Sequence, residues 1–325
     1  MSKHKGKANT YHHYVPQCYL RQFGFPKKNT KPEDNDYFVN AFDKNLGKIY
    51  PKGVEDVCGK NFFYKLDLSS TQEISADEMY LEIDFFAREI ETELSRILSF
   101  MNRHLLSAVN HNFQGLVIPE MARLLVGKHL AIQFLRHPNI REYDLKLIAD
   151  TNDLITGFIK RNNLQDNVGA KELMSDDSLS KDKAMTHAML SFMNEDLICS
   201  IALALSRNIW VYYYSPDGDF FTSDNPINII QHYKGNALNT LMGLNRYGAE
   251  VSYPFNPNFI LSIFDREYFQ DMISSEDRIV LCSERELEHY NILRYRNAKQ
   301  YVFSKSKNYE IANNCFQIKK IYNIE

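Results

Sequence analysis

The chain has 325 residues, of which 44% are hydrophobic and 24% charged, with a net charge of −3. Those proportions are ordinary for a globular protein and exclude a disordered chain. The slightly negative charge excludes a global positive field toward nucleic acid, so affinity for phosphate would need a local basic cluster.

The amino-terminal stretch MSKHKGKANTYHH is basic through Lys3, Lys5 and Lys7 but lacks the apolar segment of a secretory signal. No apolar run reaches the roughly 20 residues that span a bilayer. A cytoplasmic protein with no membrane partner is therefore expected. Cys18, Cys58, Cys199, Cys282 and Cys315 are odd in number and contain no CxxC pair, which argues against a disulfide framework or a zinc-thiolate site.

Residues 1–66 read as short extended segments. FVNAFDKNLGKIYP predicts a hairpin that reverses across Asp43 to Gly47, and VCGKNFFYKLD a further strand. From about residue 74 the period becomes helical. Met79, Ile83, Phe86, Ile90, Leu94, Ile97 and Met101 predict one apolar stripe on a long helix, started by a capping box of Ser75 and Glu78. A second helix is expected from Pro119 to His137 and a third over 141–161. The polar stretch 164–182 reads as a loop before a fourth helix that ends near Ser206.

Past Asn208 the pattern favours strands again. IWVYYY and the segment after Ser215-Pro216-Asp217-Gly218 predict a β-hairpin over 209–230. VSYPFNPNFILSIFD and KQYVFSKSKN add strands, and a helix is expected from Ser283. The order predicts an α+β fold in one domain over 1–325, with short strands in 1–66, helices in 74–206 and a β-rich part with a helix in 208–325. Neither GxGxxG nor GxxxxGK[ST] occurs.

Three polar clusters could carry chemistry. His12-His13 followed by Val15-Pro16 is similar to the opening of ββα-metal nucleases, in which imidazole activates water beside a divalent ion. No histidine follows before His104, so that motif is incomplete, and the alternative is a pair that orients the first strand. Ser223, Asp224 and Asn225 in FTSDNPI suit a cation, a ligand hydroxyl or a tight Asx turn. Gln133 and Arg136 share a helix face. The guanidinium suits phosphate or an internal carboxylate such as Glu82, Glu89 or Glu93. Arg123 and His129 have the RxxxxxH spacing of some helical ribonuclease sites, but Leu124 stands where a polar residue is usual.

HHYVPQCYLRQF, KNFFY, AIQFLRHPNIR, FTSDNPI, YPFNPNFILSI and NILRYRNAKQYVFS together resemble a bacterial family, the domain of unknown function 4238. The blocks cover most of the chain. Cys18 stands where the family has an aromatic residue, and His137 where it has Thr. The resemblance implies a single α+β unit with His12, His13, Gln17, Arg21, Gln133, Arg136, Ser223, Asp224 and Asn225 as signature positions, and it carries no activity.

Polar signatures this far apart predict a composite pocket beside the second helix. One reading is a metal-assisted hydrolase acting on a phosphodiester or nucleotide, with nucleic acid or nucleotide as partner and a role as a phage-defence effector. In it His12 or His13 is the base, His13 and Asp224 hold a divalent metal ion, and Arg136 holds phosphate. Gln17, Arg21, Gln133, Ser223 and Asn225 would touch substrate. The alternative is a non-enzymatic binding or sensing module for an anionic small molecule or a peptide. Convergence of both histidines with Asp224 favours the first, an Arg136-centred cluster without it the second.

Overall fold

A computed structural model describes residues 10–27, 36–67, 77–111, 118–175, 182–235 and 243–322. Lys3, Lys5, Lys7 and the Ser75 cap lie outside these residues. The architecture is α+β, with strands first, a helical middle and two further sheets completed by the carboxy-terminal third.

The amino-terminal region holds β1 (Tyr11–His13), α1 (Gln17–Leu20), β2 (Phe25–Pro26), β3 (Tyr37–Asp43), β4 (Lys48–Gly53) and β5 (Gly59–Asn61). β3 and β4 form the expected hairpin. Its turn is set by Asp43 Oδ1, which accepts the amides of Asn45 and Leu46 at 2.8 and 3.2 Å. Gly47 closes it at φ 61°, where an added Cβ would also strike the Phe316 ring. β1 pairs antiparallel with β5, His12 opposite Lys60.

The long helix departs from a uniform α period. Leu81–Ile90 is π-helical and runs directly into α2 (Glu91–Asn110). The buried residues Leu81, Phe86 and Ile90 are spaced by five and four, and Leu94, Leu98, Met101 and Leu105 follow at α spacing. The wider turns have a consequence for charge. Nine residues make about two and a half α turns, which would set Glu82 and Glu91 on opposite faces. With i→i+5 bonding they make close to two turns and share one face.

α3 (Glu120–Leu135) follows Pro119, and α4 (Pro138–Arg161) starts three residues before the predicted boundary. His137 makes the early start possible, because its Nδ1 accepts the Asn139 amide at 3.2 Å as an N-cap and Pro138 occupies the first turn. The stretch read as a loop over 164–182 contains α5 (Val168–Ser175), begun by the Asn167 side chain. Its polar composition hid it. The predicted fourth helix is broken into α6 (Lys183–His187), a π turn over Ala188–Phe192 and α7 (Glu195–Arg207). Asp182 and Asn194 cap α6 and α7. α3 and α7 approach closely at Gly127, where a Cβ would lie 3.0 Å from the Ala202 carbonyl oxygen.

The hairpin expected over 209–230 does not form. β6 (Ile209–Tyr214) lies inside a sheet, antiparallel to β10 (Phe259–Phe264) and parallel to β11 (Arg278–Leu281). β7 (Thr222–Ser223) leaves for another sheet, and β8 (Asn228–Gln231) pairs with β9 (Ala249–Asn256). Five of the six residues of β6 are buried, and a strand apolar on both faces belongs between two neighbours. The Ser215–Gly218 turn docks instead on the β9–β10 connection, where Ser215 N bonds Asn258 O at 2.8 Å.

The third sheet runs β2-β3-β12-β7, with β4 also on β3. β12 (Tyr301–Ser304) pairs with β3, Tyr301 opposite Asp43. α8 (Glu284–Asn297) begins as expected with a reciprocal Ser283–Glu286 capping box, and α9 (Glu310–Tyr322) is a second carboxy-terminal helix that the sequence reading missed. Among the described residues no single helix is long and apolar enough to cross a membrane.

Candidate functional site

Arg136 is the centre of a buried charge network. Both terminal nitrogens lie 3.3 Å from Glu91 Oε1, and Nη2 also donates to the His13 carbonyl. The guanidinium stands 3.9 Å from the centroid of Phe86, and Tyr64 Oη donates to the Arg136 carbonyl at 3.1 Å. Burial pushes Glu82 up to about 7 against the pull of Arg136, and raises Glu91 as well. The internal carboxylate partner is thus Glu91, with Glu82 in electrostatic reach, while Glu89 is exposed and Glu93 pairs with Lys128 and His129.

The histidines and glutamines serve the same framework. His12 Nδ1 accepts the Tyr64 amide at 2.8 Å. His13 Nε2 lies 3.1 Å from the Glu55 carbonyl oxygen and its Nδ1 3.4 Å from Gln17 Nε2, so Nε2 donates and Nδ1 accepts. Burial lowers His13 to about 4, which keeps it neutral. Gln133 Nε2 donates to the Tyr14 carbonyl at 3.0 Å. Arg21 lines an open polar groove of about 390 Å³ with Glu91 and Arg96.

Asp224 forms a second cluster. Its Oδ1 accepts the amide of Lys299 at 2.7 Å, and Oδ2 those of Gln300 and Tyr301 at 2.6 and 3.0 Å. Ser223 Oγ donates to the Asn225 carbonyl and accepts its amide, and Asn225 Nδ2 donates to Asn297 O at 3.3 Å. Tyr14 and Cys58 feel the Asp224 charge, and the Asp224 backbone faces the buried imidazole of His137. The Tyr14 and His137 rings meet edge to face at 5.7 Å.

So His13, Gln17, Gln133 and Arg136 gather around β1, while Ser223, Asp224 and Asn225 gather around the 297–301 backbone. The donor set does not suit a divalent ion. Asp224 spends both oxygens on amides, His13 both nitrogens on protein partners, and among the described residues no three His, Cys, Asp or Glu side chains assemble as ligands.

Beside this framework lies an open cleft of about 330 Å³. Lys60, Arg141 and Lys183 line it with Phe62 and Phe63, and Glu142 is its acidic member. Lys299 reaches it, with Nζ 3.5 Å from Glu142 Oε1. Burial lowers the Lys60 ammonium, and Lys299 and Arg141 lower it further against the opposite pull of Glu142. Phe62 is 51% exposed although its backbone is left-handed, with φ 54°.

Two signature residues, His12 and Asp224, together with His137, hold the parts of this cleft. His12 fixes the Tyr64 amide two residues after Phe62, with the His12 and Phe62 rings 6.4 Å apart. His137 caps the helix that carries Arg141 and Glu142. Asp224 anchors the backbone of Lys299. Lys60, Arg141 and Lys299 stand in the blocks KNFFY, AIQFLRHPNIR and NILRYRNAKQYVFS, but scattered with Lys183 over about 240 positions they share no spacing that tells of one cleft.

No curated protein and no solved structure matches the chain. The family model described as Protein of unknown function (DUF4238) matches residues 11–308, a span that contains every contact of the framework and the cleft, and the chain belongs to that family.

Proposed function

We propose that the protein binds a nucleotide or a short single-stranded nucleic acid in the cleft, as a binding module. Phosphate would sit among Lys60, Arg141, Lys183 and Lys299, and a base would stack on Phe62. The observation that carries this reading is Phe62 itself. A bulky residue in the left-handed region costs on the order of 1–2 kcal/mol, and here that cost holds an aromatic ring in solvent at the mouth of a basic cleft. Aromatic platforms beside cationic grooves are a general solution for sequence-tolerant recognition of single strands. Lys299 and Arg141 also repel Lys60, and Glu142, the carboxylate of the cleft, offsets this for Lys60 while pairing with Lys299, which leaves more cations than anions for a phosphate to meet.

A metal-assisted hydrolase of phosphodiesters or nucleotides, with a role in phage defence, has weaker support, since His13 and Asp224 hold backbone rather than an open coordination site. Fluorescence anisotropy with a labelled oligothymidine, and ATP as competitor, tests the binding reading. Affinity should fall steeply between about 50 and 200 mM salt, and Lys299→Glu and Phe62→Ala should each weaken it. Equal affinity in both variants, or no binding at low salt, rejects it.

A further inference from the structure

A second cavity has the opposite chemistry. It measures about 350 Å³, within the range of small-ligand sites, and lies where β6, β9 and β10 meet α8. One charged member is Glu250, which is only 3% exposed. Its Oε1 accepts from Ser262 Oγ at 3.1 Å and Tyr290 Oη at 2.9 Å, and its Oε2 accepts from His232 Nε2 at 2.8 Å. Tyr290 and Ser262 are themselves joined at 2.8 Å. Ser262 and Tyr290 have one hydroxyl proton each for the three contacts that join them to each other and to Glu250, so with His232 the carboxylate receives at most three hydrogen bonds, and of its about four acceptor positions at least one remains.

The walls are aromatic and apolar, through Tyr213, Phe264, Phe269 and Met272. Asp271 and Glu286 add two carboxylates, against Arg285 as the fixed cation of the lining and His289 beside it. Arg294 lies behind Glu250 in electrostatic reach, but its Nη groups go to the Pro226 carbonyl and to Ser252 Oγ. Burial raises the Tyr213 hydroxyl, and Glu250 and Glu286 raise it further, so both carboxylates act on this wall of the cavity.

We propose that this cavity is a binding site for a small organic cation, an ammonium that takes the remaining acceptor position of Glu250 and rests against the aromatic walls. Carboxylate and ring faces act together on a cation, and the ring contribution grows as water is excluded. The site is independent of the basic cleft and would select ligands of opposite charge.

Calorimetric titration at neutral pH with benzylammonium chloride, benzyl alcohol and sodium benzoate tests it on the full chain. Benzylammonium should bind at one site, about tenfold or more tighter than its neutral isostere, with benzoate weaker still. Glu250→Gln should erase the preference, and Met272→Trp should fill the cavity and block binding. Should Glu250→Gln fail to fold, Asp271→Asn replaces it, and it should narrow the preference measurably. The proposal is overturned if benzylammonium does not saturate, binds no better than benzyl alcohol, or binds Met272→Trp as well as the native protein.

Discussion

The Asp224 carboxylate accepts the Lys299 amide at 2.7 Å, so a buried acid fixes the point from which a surface ammonium reaches toward the cleft. Asp224→Asn would turn one acceptor into a donor facing amide groups. We expect a loss of about 3 kcal/mol in urea denaturation, together with weaker oligonucleotide binding. An unchanged melting profile would show that the three amides are satisfied in some other way.

Phe62→Gly separates strain from function. Glycine adopts the left-handed region freely, so stability should hold or rise by up to about 1 kcal/mol while stacking is lost. A variant that is both less stable and still able to bind would refute the role given to Phe62.

Glu91 and Glu89 should behave very differently despite being two residues apart. Glu91→Ala leaves Arg136 buried without its hydrogen-bonded partner, at a cost of about 3–5 kcal/mol, whereas Glu89→Ala should stay within roughly 0.5 kcal/mol. A double variant, Glu91→Leu with Arg136→Met, should recover much of the loss. Equal effects of the two alanine changes would contradict the π-helical register.

Acid should destabilise the fold through its neutral buried histidines. Burial lowers His13 and His137 to about 4, below an unfolded value near 6.5. Above pH 6.5 neither state is protonated there, and nothing is lost. As pH falls from about 6.5 to 4 the unfolded chain binds protons first, and stability drops by on the order of 3 kcal/mol per histidine. Glu82, raised to about 7, has the opposite sign. It gains stability as pH falls from 7 toward its unfolded range, so Glu82→Gln should steepen the acid limb measured by thermal melts across pH.

We further propose that residues 1–325 unfold as one unit. Tyr19 Oη reaches Thr222 Oγ1 at 2.6 Å and the Pro254 carbonyl at 2.9 Å, which ties α1 to both carboxy-terminal sheets. Calorimetry should give one transition, and two resolved peaks would deny it.

Much of the element order was legible because it rests on local periodicity and turn chemistry. The β3–β4 hairpin follows from Asp43 and Gly47, and α8 from Ser283 and Glu286. Strand pairing was not legible. β6 looked like half of a hairpin because Ser215–Gly218 is a turn, yet a turn does not say which strands it joins. Glu91 was missed as the partner of Arg136 because a 3.6 period places it on the wrong face. Asp224 was legible as exceptional but not in its work, since a carboxylate that holds three amides and one that holds a metal present the same letter.

The pairing of β3 with β12 also governs how the protein can be made. β3 must wait for roughly 260 further residues before its partner exists, which at ribosomal rates is on the order of 10–50 s. During that interval, while the helices between are being synthesised, one edge of an apolar strand stays unpaired. Nascent chains are therefore most exposed to misassociation before the last β-strand emerges, and slowed translation upstream of Tyr301 should lower the yield of folded protein more than the same delay after Ser304.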